Sequence, residues 1–295
     1  MDFQLNDDQR ALRTGVRELL AARFPREALR AAADAPGPAA GLDRALWREL
    51  GGAGFFALRL PEAEGGVGLG LPEAVLVFEE AGRVLLPGPL VATHLAAGTV
   101  PGAATGESVV TMTDGVLVAW LAEADTVLGE SADAVPVRSV DPLTPLHRLP
   151  GRTVPAAGPA APPAAVLLTA AEQVGSAVRT TELAVGYAKE REQFGRPIGS
   201  FQSVKHLCAQ MLVRSELART AVYAAAVTAD PVEIAGAKLL ADEAAVQGAR
   251  DCLQVYGGMG FTWEADVHLH LKRAWVRARL WQTAAQAGEV LAAAL

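Results

Sequence analysis

The C-terminal half of the chain constrains the fold most, because it holds four long helical segments separated by very short breaks. Ala-rich, apolar segments predict helices over residues 164–192, 200–229, 232–256 and 265–294. The breaks are rich in Gly and Pro: Phe194-Gly195-Arg196-Pro197, Asp230-Pro231 and Gly257-Gly258-Met259-Gly260. Since short connections between long helices favour antiparallel neighbours, these segments predict a four-helix bundle over residues 164–295.

The first hundred residues are also predicted to be mainly helical. Asn6 and Gln9 have the spacing of a helix-capping box, and apolar residues follow at helical intervals until Pro25. Further helices are predicted at residues 42–50 and 71–86. These segments together predict an N-terminal helical domain over residues 1–100.

The pattern changes to short β-strands in the middle of the chain. Residues 109–113 and 116–120 flank Asp114-Gly115, a dipeptide that favours a tight turn, and they predict a β-hairpin. Additional strands are predicted at residues 126–128 and 135–140. This β module, residues 101–150, is too small to bury a core of its own and is expected to pack on the helices. A Pro/Ala-rich linker over residues 151–163 connects it to the bundle.

Composition excludes several classes of function. The 295 residues carry a net charge of -7, which argues against binding to nucleic acid or to an anionic membrane surface. Cys208 and Cys252 are the only cysteines and cannot form a disulfide framework or a four-thiolate zinc site. We therefore expect a reducing cytoplasm and no metal.

Processing and membrane signals are not apparent. The first residues lack the basic and apolar regions of a signal peptide. Residues 154–171 have the length of a membrane span, but four prolines in the first half break the helix that a span requires. No membrane span is predicted.

Two stretches carry more specific information: REQFGRPIGSFQSVKH at residues 191–206 and QVYGGMGFTWE at residues 254–264. Both resemble signatures of the acyl-CoA dehydrogenase family, at the usual separation on consecutive bundle helices. Residues 47–51, 61–69 and 79–83 also resemble the family, so the likeness runs nearly end to end, and only the middle of the chain is poorly matched. The resemblance implies a flavoprotein of mainly helical fold.

The resemblance also implies which residues bind FAD. An arginine offers a planar set of donors to a diphosphate, glutamine amides add donors, and paired glycines let the backbone approach the ligand. In this family such contacts reach the flavin nucleotide of a neighbouring subunit, which implies an oligomer. Taken singly, each residue has a plainer structural explanation; the joint spacing favours the cofactor. The implied residues are Arg191, Gln193, Phe194, Gln254, Gly257 and Gly258.

The catalytic base of the family has no counterpart here. α,β-Dehydrogenation of an acyl-CoA thioester needs a carboxylate to remove the α proton. The family usually places a glutamate in the last helix, beyond an arginine whose counterpart is Lys272 or Arg273, and that position falls on Trp281 or Gln282. We therefore assign no catalytic residue in the last helix.

The less common base position, in the first bundle helix, falls on Ala165. Glu172 lies two turns further along the same helix, and we expect Glu172 and Glu182 to be solvated charges on the helix face. Residues 112–115 resemble the family's flavin-lining segment only weakly. The chain is thus poorly equipped to enclose a flavin ring.

These departures predict a division of labour. The chain resembles the short subunits of heteromeric acyl-CoA dehydrogenases from bacterial steroid side-chain degradation, which implies a heterotetramer with a longer homologous partner. The partner would supply the ring pocket, the base and most of the site for the acyl-CoA substrate. The resemblance also implies that an electron-transfer flavoprotein accepts the electrons, as is usual in this family. Two alternatives remain open: a flavin-free helical scaffold, and a family-type flavin oxidase or monooxygenase.

Overall fold

The computed structural model describes residues 4–35, 41–152 and 161–295. The helices are α1 (Asp7–Arg23), α2 (Arg26–Asp34), α3 (Arg44–Gly52), α4 (Leu71–Arg83), α5 (Leu90–Ala96), α6 (Pro163–Glu190), α7 (Gln202–Thr228), α8 (Pro231–Tyr256), α9 (Val267–Arg277) and α10 (Ala284–Ala293). The strands are β1 (Val110–Asp114), β2 (Leu117–Ala119), β3 (Thr126–Leu128), β4 (Val135–Val137), β5 (Leu146–Arg148), β6 (Glu192–Gln193) and β7 (Arg196–Pro197). The prediction of a mainly helical protein with a small β component is confirmed.

The N-terminal helices follow local sequence signals closely. Asn6 and Gln9 form the predicted capping box, with the Gln9 N–H donating to Asn6 Oδ1 at 2.8 Å. The helix predicted to reach residue 86 ends at Arg83, because Leu85 is buried and has a left-handed φ of 56°. The short helices α2 and α5 were not predicted.

The bundle helices α6 and α8 run parallel and side by side. The Gln173 amide donates to the Asp242 carboxylate at 2.9 Å, and further along, Tyr187 stacks on Tyr256. In the chain, α7 connects α6 to α8 and runs in the opposite direction. The C-terminal ends of α6 and α8 therefore lie at the same end of the bundle, together with the N-terminus of α7.

The single helix predicted over residues 265–294 is wrong, because the chain breaks between α9 and α10. Trp281 has a left-handed φ of 64°, a conformation that cannot continue a helix. Thr283 then starts α10 with a capping box to Gln286. We call residues 278–283 the α9–α10 break.

Buried side chains from other helices donate hydrogen bonds to carbonyls at the end of α9. The Lys238 ammonium donates to the Arg277 carbonyl at 3.2 Å, and the Gln173 amide donates to the Ala274 carbonyl at 3.1 Å. The same two carbonyls also accept backbone N–H groups, from Ala278 and Leu280, so the side-chain donors reinforce this end of the helix. Residues far away in sequence thus hold the end of α9 next to the break.

The small sheet has the strand order β3-β1-β2-β5-β4. The predicted hairpin is confirmed: β1 and β2 are antiparallel around Asp114-Gly115. Thr93 on α5 attaches this hairpin to the helices, because its hydroxyl bonds both the N–H and the carbonyl of Val110 at 3.0 Å. The strand predicted over residues 135–140 ends at Val137, and β5 was not predicted.

The N-terminal helices and the bundle are joined by a close approach of α4 to α6. A Cβ atom added to Gly175 would lie 1.9 Å from the Glu79 carbonyl oxygen, and one added to Gly82 would lie 2.0 Å from the Glu172 carbonyl oxygen. One continuous hydrophobic core includes Trp47 and Phe78 of the N-terminal helices and residues of the bundle. The two backbones can pack this closely only because both positions are glycine.

Most of the predicted linker, residues 153–160, lies outside the described residues, and α6 begins at Pro163. Among the helices of the described ranges, none combines the length and apolarity needed to cross a bilayer.

Candidate functional site

The two sequence motifs meet at one end of the bundle. The rings of Tyr187 and Tyr256 stack with their centroids 4.1 Å apart. Arg191 follows Tyr187 by one helical turn, and Gly257 directly follows Tyr256. The stack therefore brings the ends of α6 and α8 together. The motif surface consists of six residues: Arg191, Gln193, Phe194, Gln254, Gly257 and Gly258.

The first half of the motif surface is a tight turn. The Arg191 N–H donates to the Tyr187 carbonyl at 2.8 Å and ends α6, after which β6 and β7 form a two-residue hairpin. Phe194, at the tip, has a left-handed φ of 55° and a side chain that is 92% exposed. The plainer explanation for Phe194 is that of a core residue packed beside a turn. An exposed phenylalanine in a strained turn does not fit that explanation.

The second half is an open glycine turn. Gly257 has a left-handed φ of 57°, and a Cβ atom added to Gly257 or Gly258 would meet no atom within 4 Å. Gln254 is exposed beside them, and Phe261 nearby is 79% exposed. The backbone at this turn is thus accessible to a ligand or to another protein chain.

The motif surface suits a diphosphate but does not enclose one. Within the described ranges the Arg191 guanidinium forms no ion pair, and the Gln193 amide donates only to the neighbouring Glu192 carbonyl. Exposed donors, an aromatic face and an open glycine backbone are the groups that a dinucleotide needs. Because all six residues face outward, a second protein surface is required to bury a ligand there.

A second feature, a small cavity, was missed by the sequence analysis. It has a volume of about 70 Å³ and lies between β1, β2, α6, α9 and the α9–α10 break. Small-molecule sites usually have volumes of about 300–1,000 Å³. The cavity is too small for a flavin ring with an acyl thioester.

A buried ion pair borders this cavity. Arg277 Nη2 donates to Glu172 Oε1 at 2.7 Å, and the two side chains are 5% and 8% exposed. Burial raises the pKa of Glu172 and lowers that of Arg277 to about 10. The prediction that Glu172 is a solvated charge is therefore wrong, because Arg277 on α9 faces α6 and neutralises it. Glu182 is exposed as predicted, and it pairs with Arg83.

Arg273, one candidate counterpart of the family's arginine, has a structural role. It is buried, and its guanidinium pairs with Asp141 in the loop between β4 and β5. It also donates to the Leu143 carbonyl at 3.1 Å and to the Leu86 carbonyl at 3.3 Å. Arg273 thereby attaches α9 to the sheet and to the end of α4.

Neither base position offers a proton acceptor. Trp281 occupies the α9–α10 break, and its backbone N–H donates to the Asp114 carboxylate. Ala165 is fully buried in α6. Asp114 and Glu172 are the two carboxylates that line the cavity in the described part of the chain. Burial raises the pKa of Asp114 to about 6, and the carboxylate is occupied by the backbone of Trp281.

Comparison with known proteins identifies the family. The acyl-CoA dehydrogenase N-terminal domain matches residues 6–108, and the acyl-CoA dehydrogenase C-terminal domain matches residues 166–293. The chain is 37% identical to acyl-CoA dehydrogenase IpdE2 of Mycobacterium tuberculosis, over 93% of each chain.

Two solved structures share the fold over nearly the whole length. A variant of the Tcur3481-Tcur3483 steroid acyl-CoA dehydrogenase has a TM-score of 0.82 and 26% identity, with 97% of each chain covered. The ChsE4-ChsE5 complex of Mycobacterium tuberculosis has a TM-score of 0.77 and 25% identity, with 94% of each chain covered. The chain belongs to the acyl-CoA dehydrogenase family.

Proposed function

We propose that this chain is the base-less subunit of a heteromeric acyl-CoA dehydrogenase and binds FAD jointly with a longer homologous partner. The observation that carries the proposal is a contrast between two parts of the molecule. The motif surface is complete and faces outward, whereas the cavity between the sheet and α9 is small and is lined by the Glu172–Arg277 pair and by Trp281. The chain thus has groups for the nucleotide but no room for the reaction.

Each member of the motif surface has a role in this proposal. Arg191 holds the diphosphate through its planar donors, and Gln193 and Gln254 supply amide donors. Gly257 and Gly258 let the backbone approach the ligand, and Phe194 offers an apolar contact face. FAD itself supplies the hydride acceptor. The partner provides the carboxylate that removes the α proton.

The substrate in this proposal is an acyl-CoA with a bulky acyl group. The likeness to acyl-CoA dehydrogenase IpdE2 supports an acyl-CoA. The likeness to a complex described as a steroid acyl-CoA dehydrogenase supports the bulky acyl group. A reducing cytoplasm is the expected location, and an electron-transfer flavoprotein is the expected electron acceptor.

An apolar outer face on α7 supports an oligomer. Leu212, Val213 and Leu217 are all more than half exposed, whereas the opposite face of α7 packs in the bundle. Exposed apolar residues clustered on one helix mark protein contacts. We propose that this face contacts another subunit of the complex.

The test is purification of the chain alone, the longer homologue alone and the two together. Flavin absorbance per protein mass and acyl-CoA dehydrogenase turnover are measured for each preparation. We expect flavin and turnover in the mixed complex and neither in the chain alone. A chain that is yellow and fully active by itself would refute the shared site.

The same preparations separate the two alternatives. A colourless complex in which the homologue turns over equally well without this chain would indicate a scaffold. Stoichiometric hydrogen peroxide release without an added acceptor would indicate an oxidase.

A further inference from the structure

A groove of about 660 Å³ lies between the β4–β5 segment and α9, with Trp263 at its edge. This volume is within the range of small-molecule sites, about 300–1,000 Å³. Pro136, Pro142 and Pro145 are among the lining residues and add apolar surface to the groove. The groove shares no lining residue with the motif surface.

Cationic groups without anionic partners line the groove. The Lys272 ammonium lies 4.6 Å from the centroid of the Trp263 ring and has no carboxylate within ion-pair distance among the described residues. Burial lowers the pKa of Lys272, and the charge of the Asp141 carboxylate opposes part of this shift. Arg138, also in the lining, is exposed and forms no ion pair with any described residue.

The remaining polar groups of the groove leave this charge largely uncompensated. The Asp141 carboxylate is occupied by Arg273 and by the Thr144 hydroxyl, which donates to it at 2.6 Å. Glu123 is the other carboxylate of the lining and forms no ion pair with a described residue. His147 Nδ1 is buried and has no hydrogen-bond partner in the described structure. The lining thus combines apolar side chains, two cations that form no ion pair with a described residue, and a ring nitrogen without a hydrogen-bond partner.

We propose that the groove binds a nucleoside phosphate, with the phosphate on Arg138 and Lys272 and the base against the lining prolines. A phosphate group carries the two negative charges that two unpaired cations favour, and lysine and arginine are the usual phosphate donors. A planar base can pack against the apolar surface of the lining prolines. This site is separate from the FAD contacts of the proposed function and does not depend on them.

Isothermal titration calorimetry of the full-length chain with ADP tests the site. We expect saturable binding of ADP and binding of adenosine that is at least about tenfold weaker, because adenosine lacks the charge-assisted contacts. Lys272→Gln and Arg138→Gln are each expected to weaken ADP binding about tenfold. Arg250→Gln, which alters an exposed arginine of α8 outside the groove, is the matched control and should leave ADP binding unchanged.

A further variant separates this site from the motif surface, which could bind the ADP half of FAD. Arg191→Ala should retain ADP binding in the groove. ADP binding that is lost in Arg191→Ala and kept in Lys272→Gln and Arg138→Gln would overturn the groove assignment in favour of the motif surface. Equal affinity for adenosine and ADP, or no binding at millimolar ADP, would also overturn it. The flavin content of a Lys272→Gln complex reports independently on the proposed function.

Discussion

The rings of Tyr187 and Tyr256 stack 4.1 Å apart, with their planes 15° from parallel, and join the ends of α6 and α8. Since Arg191 lies one turn beyond Tyr187 and Gly257 directly follows Tyr256, the stack determines how far apart the two halves of the motif surface lie. Burial raises the pKa of Tyr256 to about 12, so its hydroxyl stays neutral at physiological pH. Tyr187 and Tyr256 thus contact each other through their rings.

Tyr256→Ala should loosen both helix ends. We expect a loss of about 2 kcal/mol in the free energy of unfolding, because the variant removes aromatic stacking and partial burial. Flavin affinity of the mixed complex should fall at least about fivefold, and Tyr256→Phe should retain stability and affinity because the ring remains. Urea denaturation and flavin titration measure these effects. Unchanged flavin affinity in Tyr256→Ala would show that the stack does not position the motif surface.

Arg191→Ala should remove flavin from the complex without unfolding the chain. The side chain is exposed and forms no ion pair in the described structure, so its loss costs the fold little. Loss of charge-assisted contacts to a diphosphate should weaken FAD binding about tenfold or more. Flavin absorbance after gel filtration and far-UV circular dichroism measure the two properties. Full flavin occupancy in this variant, matching an Arg250→Ala control, would count against the diphosphate role.

The Glu172–Arg277 pair should matter for stability and not for turnover. Removing one partner leaves a buried charge unpaired, so Glu172→Gln should lower the free energy of unfolding by about 3 kcal/mol. The double variant Glu172→Leu/Arg277→Met should recover most of this loss, because two apolar groups need no neutralisation. Below its unfolding temperature, the Glu172→Gln complex should retain dehydrogenase turnover. A folded complex without turnover would instead make Glu172 the base.

Gly175→Ala should disrupt the packing of α4 against α6. The added methyl group would meet the Glu79 carbonyl at 1.9 Å, and backbone cannot move aside cheaply. We expect a loss of more than about 3 kcal/mol or failure to fold. Gly186→Ala, in the same helix but with no atom within 4 Å of the added group, should be neutral or stabilise by up to about 1 kcal/mol. Equal melting temperatures for the two variants would contradict this close packing.

Asp114→Asn should change how stability depends on pH. Burial raises the pKa of Asp114 from 3.8 to about 6, so the folded state holds its proton at a pH where the unfolded state releases it. The wild type therefore loses stability from this group as the pH rises from about 4 through 6. Relative to wild type, Asp114→Asn should gain of order 2 kcal/mol between pH 4.5 and pH 7.5, measured by urea denaturation. A difference that is independent of pH would show that the carboxyl group titrates normally.

The elements predicted correctly are those with local causes. The capping box of Asn6 and Gln9, the turn at Asp114-Gly115 and the Pro and Gly breaks between α6, α7 and α8 act over a few residues. The family signatures are also local patterns, so the resemblance could be read from residues 191–206 and 254–264. The roles of the individual residues in them stay a prediction.

The errors have non-local causes. The α9–α10 break depends on carbonyl contacts from Lys238 and Gln173 and on the bond from Trp281 to Asp114, none of which is near it in sequence. Glu172 was taken for a surface charge because its partner, Arg277, lies on another helix. One signal was available: the residues before and after Glu172 on α6 are almost all apolar or small, which is typical of a helix surrounded on every side.

The sequence by itself determined the helical class, the bundle, the family and the absence of a glutamate at either base position, because these follow from local propensity and from residue identity. Only the tertiary structure decided that both motifs share one exposed end of the bundle and that the buried Glu172–Arg277 ion pair lines a small cavity beside α9. The physical reason is that burial and charge pairing depend on which helix faces which. That arrangement is set by close contacts such as Gly175 against Glu79, between residues far apart in the chain.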